Sequence, residues 1–158
     1  VEVPDIQRLI RVNTAAEKFE VCVTVFDKRE IGIMSADVAD YTPVDTKNEK
    51  IKKTGDIISI ALAKTKDILK YLGEIKRSNQ LLVGFALETN NEEDYAKNKL
   101  VEKNADFIVL NSLNDAGAGF GHDTNKITIF DKSGHSHYFD TKSKAAVAKD
   151  IVNTIIQS

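Results

Sequence analysis

The chain has 158 residues, 42% of them apolar, enough to bury a core, which excludes a disordered or fibrous protein. Its 22 Lys+Arg against 24 Asp+Glu leave a net charge of -2, so no general polyanion-binding surface is implied, nucleic acid is not the default partner, and any basic site must be local. Cys22, the one cysteine, excludes an intramolecular disulfide and a cysteine-rich zinc site, while no apolar run nears the roughly 20 residues of a membrane helix. With no signal pattern in Val1-Glu2-Val3-Pro4, a cytoplasmic protein without a membrane partner is expected, and the start at Val reads as a chain whose upstream part was removed.

In chain order, Gln7 to Val12 reads as a short strand, and Asn13-Thr14 as the N-cap of a helix reaching about Phe26. Ile31 to Ala36 is a compact apolar run ending in small residues, as a strand entering a ligand-side loop does. From Asp40 to Asp56 the pattern breaks into Tyr41-Thr42-Pro43, a lysine-rich stretch and Thr54-Gly55, a long excursion from the core. Ile57 to Ala63 alternates as a strand does, and Asp67 to Lys76 sets Ile68, Leu69, Leu72 and Ile75 on one helical face. Leu81 to Ala86 is a buried strand, Asn90-Asn91-Glu92-Glu93 opens a helix through Lys103, and Phe107 to Leu110 is another buried strand. After a Gly-rich loop, Lys126 to Phe130 and His137 to Phe139 flank Ser133-Gly134 as a hairpin, and Ser143 caps a last amphipathic helix carrying Val147, Ile151 and Ile155.

This alternation predicts one three-layer α/β unit over 1–158, with a mostly parallel sheet ending in a hairpin. In such folds ligands sit beyond the carboxyl ends of the parallel strands, which points to Met34 to Asp40, Lys64 to Asp67, Phe85 to Asn90 and Asn111 to Asn125. Lys47-Asn48-Glu49-Lys50-Ile51-Lys52-Lys53 suits a triphosphate, because flexible ammonium groups can follow charge as it moves among phosphate oxygens; a solvated surface run has the same composition. Lys99 and Lys103, four apart on a helix, point the same way and can grip one anion, or simply lie exposed. Asp40 suits a magnesium ion, a ribose hydroxyl, a base amino group, or a helix N-cap.

Gly117-Ala118-Gly119-Phe120-Gly121 does not meet the context of a dinucleotide fingerprint, since a strand rather than a helix follows it. His135 and His137 share a strand face, which fits a surface hairpin better than a metal site lacking a third ligand. Cys22 lies within apolar helical periodicity as a core filler.

Met34-Ser35-Ala36-Asp37-Val38-Ala39-Asp40-Tyr41, Lys50-Ile51-Lys52-Lys53, Lys66-Asp67-Ile68-Leu69, Val83 to Thr89, Lys99 to Asn104, and Gly119-Phe120-Gly121 with Asn125 occur in an order that resembles the phosphopantothenate-cysteine ligase (phosphopantothenoylcysteine synthetase) family. That family forms one half of the bifunctional coenzyme A biosynthesis flavoprotein. The resemblance implies a modified Rossmann-like domain, usually homodimeric, that uses CTP and Mg²⁺ to join 4'-phosphopantothenate to cysteine through an acyl-cytidylate. FMN is implied only for a fused or partner phosphopantothenoylcysteine decarboxylase, whose segment these residues do not include.

Carried over by position, Lys50 is the catalytic lysine of the family's Lys-x-Lys-Lys motif, and Met34 and Asp40 lie against the nucleotide. Asp40 is the candidate metal ligand. Lys66, Asp67, Ile68, Leu69 and Phe85 shape the base and ribose pocket, while Lys99 and Lys103 reach the triphosphate. The chain departs from the family at Lys66 (commonly proline), Asp37 (alanine) and Leu87 (alanine), and an extra carboxylate at Asp37 should repel a triphosphate unless it points away or binds metal. The family's upstream glycine-rich loop and Asn-x-Ser-Ser-Gly-like segment have no counterpart here, so the domain is expected to be incomplete in its N-terminal part. A non-catalytic nucleotide-binding or regulatory module of the same fold is the competing expectation.

Overall fold

A reciprocal pair of contacts starts the first helix: the Thr14 hydroxyl accepts the Glu17 N–H, and the Glu17 carboxylate accepts the Asn13 N–H at 2.7 Å. Helix α1 then runs Ala15–Phe26, with Phe19 and Phe26 buried. The computed structural model describes residues 8–36, 38–45, 49, 57–88, 90–112 and 123–158. Along these follow β1 (Ile31–Met34), β2 (Tyr41–Pro43), β3 (Leu62–Lys64), α2 (Ile68–Ile75), β4 (Leu81–Glu88), α3 (Glu92–Glu102), β5 (Phe107–Ser112), β6 (Thr124–Asp131), β7 (Ser136–Ser143) and α4 (Lys144–Ile156).

The main sheet has the order β1-β4-β5-β6-β7. β1, β4 and β5 are parallel, β6 opposes β5, and β7 opposes β6, so only β6 runs against the other strands of this sheet. This is the expected mostly parallel, Rossmann-like α/β sheet with its C-terminal hairpin. Side chains of alternate residues take opposite faces. Val83, Val109, Ile127 and Ile129 meet Val147, Ile151 and Ile155 of α4 on one face. Ala86, Ile108, Leu110 and Phe130 meet Ala96 and Leu100 of α3 on the other, where Leu82 also packs with Phe19, Phe26 and Leu72 of α1 and α2. The helices therefore form the outer layers, and the core lies on both faces of the central strands.

Three expectations about elements change. Residues 8–13 form no strand, and Leu9 is 51% exposed; apolar alternation makes a strand only where a neighbour takes its backbone hydrogen bonds. The strand expected over Ile57 to Ala63 is confined to Leu62–Lys64, while Ile57, Ile58 and Ile60 stand exposed outside it. Its partner is Tyr41–Pro43, a short exposed strand that no periodicity marked; the two make a separate antiparallel ribbon in which Tyr41 pairs with Lys64. Asp40 precedes this strand and caps no helix. The lysine run apart from Glu49, Asp37, and the glycine-rich 117–121 segment lie outside the described residues.

Candidate functional site

At the carboxyl ends of β1 and β4 lies a cleft of about 400 Å³. Its walls include Met34 and Asp40 after β1, Lys66, Asp67, Ile68 and Leu69 at the start of α2, Phe85 of β4, and Lys99 and Lys103 at the end of α3. Each described residue singled out from the sequence as nucleotide-binding thus borders one space; Lys50 lies outside the described residues. Lys18, Thr65, Tyr95, Asn98 and Glu102 also line it; Thr65 and Glu102 fall within stretches the sequence marked, whereas no motif marked Lys18, Tyr95 or Asn98. They come from α1, the β3–α2 connection and α3, so only the tertiary fold brings them to the cleft.

Local chemistry holds these walls in place. Thr65 sews the two loops together, donating its N–H to the Asp40 carbonyl at 2.9 Å and its hydroxyl to the Ala39 carbonyl at 2.7 Å. Asp67 is the N-cap of α2, its carboxylate accepting the Lys70 N–H at 2.9 Å. Leu69 can descend onto β4 because Gly84 has no side chain: a Cβ there would lie 2.5 Å from Leu69 Cδ2. Gly73 serves α3 in the same way. A Cβ at Gly73 would meet the Lys103 carbonyl oxygen at 1.9 Å, and the Gly73 carbonyl accepts the Asn104 side-chain amide at 2.7 Å. Asn104 takes a left-handed turn (φ 47°) to make this junction. The backbone of Lys103 is thereby fixed against α2 while its ammonium reaches the start of that helix.

Charge in the cleft is unevenly compensated. Lys103 Nζ lies 3.2 Å from Asp67 and also pairs with Glu102. Burial pushes the Asp67 carboxyl up, but the Lys70 N–H, the Lys103 ammonium and the charge of Lys99 outweigh it and hold Asp67 below its ordinary range. Burial likewise works against the Lys103 charge, and its two carboxylate partners raise its pKa in spite of it. Lys66 Nζ sits 4.3 Å from the centre of the Phe19 ring, a cation–π contact. Among the described residues the Asp40 carboxylate forms no ion pair, and no three His, Cys, Asp or Glu side chains are grouped to hold a metal ion.

The remaining candidates lie elsewhere. His135 and His137 both contact Asp131 Oδ2, at 3.2 and 3.1 Å, and so brace the β6–β7 hairpin rather than the cleft. Burial raises the pKa of Cys22, which packs against the Phe19 and Leu72 cluster as a core filler. Among the described residues no helix is long and apolar enough to cross a membrane.

Known proteins match this architecture. The profile of the DNA/pantothenate metabolism flavoprotein C-terminal domain matches residues 1–158. A protein of an unidentified prokaryote named cysteine/cysteine sulfinic acid decarboxylase is 51% identical over 94% of this chain and 41% of its own length. The coenzyme A biosynthesis bifunctional protein CoaBC of Bacillus subtilis is 45% identical over 92% of this chain and 36% of its own length. The chain thus spans well under half of these relatives. A crystal structure of the C-terminal domain of a CoaBC protein superposes with a TM-score of 0.74 at 35% identity, covering 92% of this chain and 63% of that one.

Proposed function

Because this chain belongs to the family of DNA/pantothenate metabolism flavoprotein C-terminal domains, we propose that it acts in coenzyme A biosynthesis as a CTP-dependent ligase joining 4'-phosphopantothenate to cysteine. The observation that carries this reading is the convergence of Met34, Asp40, Phe85, Lys99 and the Lys66 to Leu69 segment on one cleft at the carboxyl edge of the parallel strands. A carboxylate is a poor acyl donor because its leaving group would be oxide, and joining it to a nucleotide supplies a good one. The substrate carboxylate attacks the α-phosphorus of CTP and expels pyrophosphate; the cysteine amine then attacks the acyl carbon and releases CMP. The chain itself needs no nucleophilic thiol, in keeping with a Cys22 that packs in the core.

The residues divide this work by chemistry. Ile68, Leu69, Met34 and Phe85 offer apolar walls to the base and ribose. Lys99, whose ammonium forms no ion pair among the described residues, attracts the phosphates, and Lys50 stabilises charge on them during transfer. Magnesium is commonly held by one or two carboxylates plus substrate phosphates, and a cleft carboxylate with no ion pair among the described residues fits that pattern. Asp40 would hold the ion, which when bound neutralises charge on the phosphate chain. A homodimer is part of this reading, supported by the apolar surface that Tyr41, Leu62, Ile57 and Ile60 expose on and beside the ribbon; sedimentation of the protein as a monomer would remove that part.

The test is pyrophosphate release by the full-length protein supplied with CTP, 4'-phosphopantothenate and cysteine. Release dependent on all substrates is expected, and Lys50→Ala should slow it by about two orders of magnitude, as loss of a transition-state charge contact does. No release would overturn the reading. A second reading, a nucleotide-binding module without ligase chemistry, is favoured by the decarboxylase name of the 51% identical relative. CTP binding without formation of an acyl-cytidylate would establish it instead.

A further inference from the structure

Lys18 borders the cleft from α1, on an element that neither the lysine run nor the family motifs include. Its ammonium donates to the Ala36 carbonyl at 2.7 Å. An ammonium has three N–H donors, and among the described residues this one has no carboxylate partner. Lys103, by contrast, spends its charge on Asp67 and Glu102. A cation already paired with carboxylates attracts a further anion weakly, because the partners' fields oppose its own. The net pull on a phosphate therefore falls to the ammonium groups with no carboxylate partner among the described residues, and Lys18 is one of them.

We propose that Lys18 is a phosphate-positioning residue of this cleft, with one N–H fixed on the Ala36 carbonyl and the remaining donors turned to a phosphate of a bound nucleoside triphosphate. This inference rests on the nucleotide reading of the cleft and deepens it. Ala36 belongs to the loop that leads to Asp40, so the same ammonium ties the phosphate chain to the position of that loop. A purely structural lysine would tie α1 to the loop and do nothing more.

Calorimetry of the full-length protein with CTP and with cytidine separates the two roles. Lys18→Gln keeps a donor for the Ala36 carbonyl and removes the charge. It should weaken CTP about tenfold, the loss of one charge-assisted hydrogen bond, leave cytidine unchanged, and make CTP affinity less sensitive to salt. Lys18→Arg should recover most of the loss. A melting temperature near the unsubstituted protein's shows that the variants are folded, and Lys18→Met provides a second uncharged side chain if Gln fails that check. CTP affinity within twofold of the unsubstituted protein, or an equal loss for CTP and cytidine, overturns the proposal. Failure of the unsubstituted protein to bind CTP overturns the nucleotide reading itself, and the role of Lys18 with it.

Discussion

Helix α2 has an acid–lysine cluster at each end, and the two differ in their access to water. At its start Asp67, 47% exposed, meets Lys103 at the edge of the cleft. Just beyond its end Lys76 meets Asp106, which is 1% exposed and also binds Lys132 and the Leu82 N–H at 2.8 Å. Both carboxyls sit below their ordinary range although burial pushes each of them up, because partner ammonium groups and backbone N–H groups prevail. The consequences differ. Asp106 joins the start of β5 to β4, to the end of β6 and to α2, so its partners serve the architecture. Asp67 holds a lysine over an open cleft, where the pair can be rearranged by a ligand at little cost.

The buried cluster is the place to break this contrast. Asp106→Asn leaves the nearly buried Lys76 ammonium beside a neutral amide, and a loss of about 3 kcal/mol in urea unfolding is expected. The pH dependence follows from the same group. A carboxyl lowered by folding contributes stability above its ordinary value of 3.8, and that contribution fades as the pH falls through the lower folded value. Below that, folded and unfolded forms are both protonated. Asp106→Asn should therefore flatten the acid limb of stability below the ordinary carboxyl range, and an unchanged limb would assign it to other carboxylates.

A smaller effect, of about 2 kcal/mol, is expected from Gly73→Ala, whose methyl group must displace the Lys103 carbonyl. Because that shift moves the end of α3, which brings Lys99 as well as Lys103 to the cleft, CTP affinity should fall with stability, and a stable variant with intact affinity would show that the α2–α3 junction does not position these lysines. The least effect belongs to Asp67→Asn. Asparagine caps helices as well as aspartate does, so only the half-exposed ion pair is lost, at less than about 1 kcal/mol in thermal unfolding. A cost as large as that of Asp106→Asn would erase the distinction between the two ends.

Legibility from sequence followed the same divide between local and distant chemistry. Thr14 and Ser143 cap their helices where side-chain type and following periodicity indicated, since capping involves residues three or four apart. Strands depend on remote partners, and there the reading erred in both directions. Ile57 to Ala63 has the alternation of a buried strand but little to pack against, whereas Tyr41–Pro43 has no such pattern and pairs across the excursion. In the cleft, the residues around Asp67 and Lys99 were marked by their motifs. Lys18, Tyr95 and Asn98 were not, because their neighbours in space come from other elements. The pairing of Lys103 with Asp67 was equally hidden, as the two are remote in the chain.

The adjacency of β1 and β4 has one more consequence. Everything between Met34 and Leu81, the ribbon included, leaves the sheet at one strand and returns at its immediate neighbour. For a flexible loop, closing the ends costs only about 0.6 kcal/mol more for each doubling of length. Length changes ahead of α2 therefore cost the parallel ladder little, whereas α2 itself is held by the packing of Ile68 and Leu72 with Leu82, so drift before that helix is checked by the cleft more than by the stability of the sheet.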